Sequence, residues 1–261
     1  MKTIWKDIQK HLLSGVSFMM PVVVAGGVIL AVSLLGATQT ETGLVPNGPL
    51  LTYLNQLGKA GMAMMIPVFA AYISYSVAGK PGLTPGFILG YIANNAIMIN
   101  GVEVKAGFLG ALILGLLAGY MAKWMKGLKV GKTIRSIMPI LVIPISTVLV
   151  LGLAYYFIIG YPISFLMQAL SDLMVTLNGS GKAVLAVFMG FFSEIDFGGP
   201  VTKAVSMFTL SMINEGIMEP NGIFRILVAV PPIGIFLSTI IAKKKYSEEE
   251  RDNAKAVGIM G

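Results

Sequence analysis

The sequence predicts an all-α polytopic membrane protein with about six full transmembrane helices and a re-entrant helical hairpin. Three observations predict this class. Apolar residues make up 56% of the 261-residue chain, charged residues 12%, and mean hydropathy is +0.82; a soluble domain carries about twice that charge. Several windows approach or exceed the ~20 apolar residues that cross a bilayer. One apolar region is interrupted at its centre by charge and glycine, in SEIDFGGPVTK from Ser193 to Lys203. The 31 glycines suit helices that pack closely in lipid.

The composition also excludes chemistry. Cysteine is absent and His11 is the one histidine. This excludes a disulfide framework, a thiolate metal site, a cysteine nucleophile and histidine catalysis deep in the membrane. No triad, HExxH or GxxxxGK[ST] pattern occurs. No metal or cofactor is expected, and nothing here carries a phosphoryl group through histidine or cysteine. The net charge of +7 is assigned to lysines of cytoplasmic loops and not to nucleic-acid binding.

The elements follow in order. Residues 1–13, MKTIWKDIQKHLL, read as an interfacial amphipathic helix: Ile4, Trp5, Ile8, Leu12 and Leu13 recur at helical spacing among Lys2, Lys6 and Lys10, which face anionic headgroups of membrane lipid. His11 is read as interfacial, with no partners for a metal site. The run Val16–Leu35 is too long for a signal-peptide core and becomes a retained first span, near 14–36. ATQTETGLVPNGP has no lysine or arginine and is external. Span 2, near 60–79, returns to Lys80, and KPGLTPGF makes a proline-glycine corner. Span 3, near 86–99, carries Asn94 and Asn95. Span 4, near 106–124, shows Ala111, Gly115 and Gly119 at four-residue spacing, a close-packing face. It ends in KWMKGLKVGKTIR, whose five basic residues mark the cytoplasm and, by parity, a cytoplasmic N-terminus. Span 5 is near 136–159.

After span 5 the chain is external. PISFLMQALSDLMVTLNGSGK reads as an amphipathic helix and a turn. A last span, near 224–242, leads to the charged cytoplasmic segment 243–256. The chain is thus external at 160 and again near 222, so region 183–218 enters and leaves by one side or crosses twice. Its arms are ~10 and ~13 residues, or ~15 and ~20 Å as helix, against a ~30 Å core. Two half-length arms joined by Gly198-Gly199-Pro200 read as a re-entrant hairpin with its tip at membrane depth.

Irregular backbone at that depth lines protein or a wet cavity, and ionisable residues there mark substrate or ion paths. The candidate substrate site is therefore this tip. Asp196 and Glu194 would accept hydroxyl hydrogen bonds, and Thr202 would give or take one. Lys203 would compensate charge. Gly198 and Gly199 would let a ligand approach the backbone, and Pro200 would start the second arm. A plain structural alternative stands beside this: Asp196 and Lys203 pair across the break and hold the hairpin shut. Asn94 and Asn95 are candidates for substrate contact or for hydrogen bonds between helices.

These residues carry a likeness. HLLSGVSFMMPVVVAGGV, PGLTPGF, AGFLGALILGLLAGY, IDFGGPVTKA and VPPIG with KKKYSEEERDNAK together resemble the membrane (IIC) component of fructose-type permeases of the bacterial phosphoenolpyruvate-dependent sugar phosphotransferase system. The likeness spans nearly the whole chain. It implies the following. The chain binds fructose or a related sugar from outside. A cysteine-phosphorylated IIB partner, served by IIA, HPr and enzyme I, phosphorylates the sugar, usually to the 1-phosphate. The chain would be the membrane component of a phosphohistidine–sugar phosphotransferase complex, a homodimer in the bacterial inner (plasma) membrane. Residues 14–160 would form the scaffold and dimerisation half with five spans, and 161–261 the start of a transport half. Two departures are visible. The family's asparagine in GGPxNK is Thr202 here, one hydroxyl in place of an amide. The chain ends at KAVGIMG, before the family's GITEGAIPF motif, so the resemblance implies that a C-terminal part is lacking. The alternatives in other classes are an ion-coupled secondary transporter, with Asp196 and Glu194 as coupling carboxylates, and a non-transporting fragment of a permease.

Overall fold

The computed structural model describes residues 2–40, 43–99, 101–178, 181–195, 200–214 and 217–260. The chain divides into two compact units, Met1–Leu170 and Ser171–Gly261. Among the described residues, five helices are long and apolar enough to cross a membrane: Lys6–Ser33, Pro49–Ala78, Gly107–Lys126, Ile134–Leu173 and Glu219–Ile241. Their large apolar side chains are widely exposed, as at Ile140, Phe157, Ile226 and Ile241. A helix that keeps such residues outside is built for lipid.

In the first unit, α1 is Lys2–Ser33. The expected interfacial segment and first span form this one helix. No proline or glycine interrupts Leu12-Leu13-Ser14, and Gly15 seats the junction against Phe69 and Ile73. A short hairpin follows, β1 (Thr38–Thr40) paired antiparallel with β2 (Gly43–Val45). Asn47 closes its base: its side-chain amide donates to the Gly36 carbonyl, and its side-chain oxygen accepts from Thr38 at 2.7 Å.

The core of the unit is α2, Pro49–Ala78. It begins well before the expected span because Pro49 suits a first helical position and nothing breaks LLTYLNQLGKAGMAMM. Its Met65, Ile66, Phe69, Ala70, Ala71 and Ile73 are almost fully buried. Three helices pack on it: α1, α3 (Lys80–Asn94) and α4 (Gly107–Lys126). Each approaches through glycine. Gly26 lies on Gly61 and Met62, and Gly58 on the backbone of Leu30. From α3, Gly82, Gly86 and Gly90 meet Ser74, Ala70 and Pro67; from α4, Gly115 and Gly119 meet Ala70 and Ser74. Close backbone approach gains dispersion contacts where lipid supplies no hydrophobic drive. Phe69 and Phe108 stack across α2 and α4 with centroids 4.8 Å apart.

The expected corner at KPGLTPGF is helical. The turn is made one residue earlier by Gly79, whose φ of 76° is open to glycine alone, and Pro81 sits in the first turn of α3. At 15 residues α3 is ~22 Å long, about the length of the span expected near 86–99 but set five to six residues earlier, at Lys80–Asn94. It stops at Asn94, and β3 (Ile97–Ile99) pairs antiparallel with β4 (Val102–Val104).

The apolar stretch after α4 is a chain of helical pieces: α5 (Lys132–Ile137), a π-helical turn Met138–Val142, α6 (Ile143–Ala154), a second π turn Tyr155–Ile159, and α7 (Gly160–Asn178). The wide turns are visible in their bonds, Ile143 N–H to the Met138 carbonyl and Gly160 N–H to the Tyr155 carbonyl. The second hairpin anchors the start of α7: Lys105 N–H donates to the Ser164 hydroxyl at 3.1 Å, and the Tyr161 hydroxyl donates to the Ile99 carbonyl at 3.2 Å.

The second unit holds α8 (Lys182–Glu194), α9 (Pro200–Asn214), α10 (Glu219–Ile241) and α11 (Glu248–Met260). Here α8 packs on α9, both pack on α10, and α11 packs on α10. Leu185, Met189 and Ser193 are the buried stripe of α8, and Gly190 brings it onto Leu227 of α10.

Candidate functional site

The helices α8 and α9 lie on either side of the Gly198-Gly199-Pro200 break. Asp196, Gly198 and Gly199 fall outside the described residues, as does the side chain of Pro200. What is described is the neck of the hairpin. Glu194 is the last residue of α8 and half-buried; Ser193 beside it is buried. Pro200 opens α9, where its missing N–H costs no helix bond. Two residues on, Thr202 is 8% exposed and its hydroxyl donates to the Ser193 carbonyl.

This bond has a clear local cause. The last carbonyls of α8 have no partner in their own helix, and Thr202 supplies one from the first turn of α9. The two arms are thereby tied at the break. The same bond fixes what Thr202 does: its hydroxyl hydrogen is directed into the hairpin. Lys203 is exposed. The first turn of α9 also directs backbone N–H groups toward the break, which suits an oxygen-rich or anionic ligand. The neck therefore sets Thr202, in the first turn of α9, against the end of α8, with Glu194 and Lys203 next in sequence to the two bonded residues.

Asn94 and Asn95 belong to the first unit and differ from each other. The Asn95 side-chain amide donates to the Tyr91 carbonyl at 2.7 Å, which caps the end of α3. The Asn94 side-chain oxygen is buried without a hydrogen-bond partner. Such orphans are few in native proteins, so Asn94 keeps an acceptor to offer and Asn95 serves the helix end.

Two features escaped the reading of the sequence. His11 is not merely interfacial: its Nδ1 is 2.8 Å from the Ser76 hydroxyl on α2, and its ring meets Tyr120 of α4 edge-on with centroids 6.3 Å apart. Nothing in the local sequence signals a partner 65 residues away. The charged segment 243–256 is largely a helix, α11. The signal was present, since Ser247-x-x-Glu250 is a capping-box pattern. Ser247 N–H donates to the Glu250 carboxylate at 2.8 Å, and Glu250 N–H donates to the Ser247 hydroxyl at 3.2 Å. The Ser247 N–H, and the Ser247 hydroxyl that donates to the same carboxylate at 2.9 Å, hold the Glu250 carboxyl below its ordinary range. Among the described residues no group of three or more acidic or histidine side chains could hold a metal.

Comparison with known proteins adds the following. The family model described as "Phosphotransferase system, EIIC" matches residues 13–245. The "PTS system fructose-specific EIIC component" of Haloferax volcanii is 38% identical over 98% of this chain and 72% of its own length. The "Fructose-like permease IIC component 2" of Escherichia coli K12 is 36% identical over 99% of this chain and 70% of its own. The "Fructose-like PTS system EIIBC component" of the same strain is 32% identical over 98% of this chain and 53% of its own. No solved structure matches.

Proposed function

The chain belongs to the phosphotransferase system EIIC family, and on that premise we propose that it is a sugar-translocating membrane subunit whose substrate is fructose or a related sugar. The observation that carries this reading is the likeness to fructose-type EIIC proteins along nearly the entire chain. Those likenesses favour neither an ion-coupled transporter nor a non-transporting fragment.

The proposed mechanism uses the hairpin. Residues 14–160 act as scaffold and dimer interface, and 161–261 begin the transport half. The arms α8 and α9 are each ~20 Å long, so the break between them lies inside the ~30 Å hydrocarbon core. There the sugar meets Asp196 and Glu194 as hydrogen-bond acceptors. The backbone of Gly198, Gly199 and Pro200, with Thr202, forms the wall, and Lys203 balances charge. Asn94, in the first unit, is a separate candidate for substrate contact through its unpartnered acceptor, and Asn95 supports the end of α3. The phosphoryl group comes from a phospho-IIB partner, itself charged through IIA, HPr and enzyme I. A sugar hydroxyl oxygen attacks phosphorus, the bond to the cysteine sulfur breaks, and the hydroxyl proton passes to a carboxylate. Asp196 is the group assigned to that orientation and proton acceptance. The chain works as a homodimer in the bacterial inner membrane, N-terminus inside.

The test is phosphoenolpyruvate-dependent phosphorylation of radiolabelled fructose in membranes carrying the chain, with the purified soluble partners added. Sugar phosphate should form only when IIB is present and should be indifferent to an uncoupler. Entry of unmodified fructose, abolished by the uncoupler, overturns the reading in favour of ion coupling.

A further inference from the structure

The turn between α10 and α11 encloses a groove that sugar transfer does not use. Here α11 doubles back along α10: a Cβ at Gly258 would collide with the side chain of Phe236, and the Ser238 and Tyr246 hydroxyls are 2.9 Å apart. Phe236, Thr239 and Ile240 come from α10, at i, i+3, i+4 spacing, and Lys243 from the turn just beyond its end; Glu248, Arg251, Asp252 and Lys255 come from α11 at i, i+3, i+4, i+7 spacing. One wall is apolar, with a lysine at its end, and the other is wholly charged. The cavity is about 420 Å³, within the range of small-molecule sites.

The level of the groove in the membrane follows from its two walls. Charged side chains are expelled from hydrocarbon, so a helix with Glu248, Glu249, Glu250, Arg251, Asp252 and Lys255 cannot lie within it. Because α11 is clasped against the last turns of α10, those turns stand at the headgroup region. The groove thus faces acyl chains through Phe236 and Ile240 and headgroups through its charges.

We propose that this groove binds the headgroup of an aminophospholipid, of which phosphatidylethanolamine is the type. The phosphate diester lies against Lys243, Arg251 and Lys255, and the primary ammonium donates to Glu248 and Asp252. The mixed lining selects this chemistry. An anionic head without an ammonium, such as phosphatidylglycerol, would bring the two carboxylates neutral hydroxyl donors and no positive charge. A quaternary ammonium carries charge but no N–H to donate. The acyl chains follow the apolar stripe of α10.

Native mass spectrometry tests this on the chain purified from nanodiscs holding equal parts of phosphatidylethanolamine, phosphatidylcholine and phosphatidylglycerol. Retained phosphatidylethanolamine should exceed each of the others by about tenfold, the effect of a charge-assisted hydrogen bond. Glu248→Gln with Asp252→Asn should erase the preference over phosphatidylcholine. Lys243→Gln with Lys255→Gln should lose retention altogether. Lys244→Gln with Lys245→Gln removes the same charge beside the groove and should retain lipid as the wild type does. Equal loss in the two lysine pairs, or preferential retention of phosphatidylglycerol, overturns the proposal. Displacement of the lipid by free phosphoethanolamine in millimolar excess also overturns it, and makes the groove a site for a soluble phosphate ester. Circular dichroism of each variant separates loss of the groove from loss of α11.

Discussion

Replacing Thr202 by valine removes one hydroxyl and keeps the shape of the side chain. The hydroxyl donates to the Ser193 carbonyl at the end of α8, and Thr202 is buried, so water cannot take its place readily. Removing the donor leaves a buried carbonyl unsatisfied, which costs about 1–3 kcal/mol. If that bond ties the arms, the open form of the hairpin becomes about 5- to 150-fold more populated, by the same free energy. The chain contains no cysteine, so a single reporter thiol can be read without background. Ser193→Cys places it at a position 1% exposed, where maleimide must wait for opening. When closing outpaces labelling, the rate follows the open population. Labelling should therefore accelerate by that factor in Thr202→Val. It should stay near the parent rate in Thr202→Ser, which keeps the hydroxyl. Equal rates in the valine and serine variants would refute the claim that this bond holds the neck.

Three further outcomes are expected. Gly58→Leu drives a side chain into the Leu30 backbone, 2.6 Å from the ideal Cβ, and should lower the thermal midpoint in detergent by the equivalent of about 1–3 kcal/mol; Gly27→Ala, with nothing within 4 Å, should leave it unchanged. Glu250 has a depressed folded-state pKa caused by Ser247. Its support of α11 is therefore complete above the unfolded carboxylate value of 4.5 and is lost as pH falls through the folded value. NMR should show the first turn of α11 fraying over that descent, and Ser247→Ala should fray it already at neutral pH. Asp196→Asn should slow sugar phosphorylation about tenfold or more, the worth of hydrogen bonds to a charged group, with membrane insertion unchanged by immunoblot; wild-type turnover refutes the role.

Helical class and the crossing segments are legible because hydropathy reports the solvent directly, and lipid-facing residues such as Phe157 and Ile226 have no other reason to be apolar. Boundaries were harder where proline and glycine carry two meanings. Pro81 and Pro85 read as a corner, yet Gly79 alone makes the turn, while Gly82, Gly86 and Gly90 are smooth surface for α2. Four-residue glycine spacing in α3 could have revealed this, as it did for Ala111, Gly115 and Gly119. The His11–Ser76 contact was invisible because it joins distant helices, and sequence periodicity speaks only of one helix at a time. At the candidate site, the polar break and its two arms could be read from charge and proline. The use of Thr202 as a clasp could not, since a hydroxyl shows no preference between a ligand and a nearby carbonyl until the backbone is placed.

The two π turns on either side of α6 have a consequence for how this chain tolerates changes in length. A π turn carries one residue more than the α turn it replaces. Deleting a residue from Tyr155–Ile159 would let that turn close to ordinary pitch while α6 and α7 keep their facing. Deleting one from Ile143–Ala154 would instead rotate everything beyond it by ~100°, swinging Ile163 and Met167, now buried, away from their packing. The wide turns are thus slack links in an otherwise unforgiving rod, and gaps among related chains should gather there.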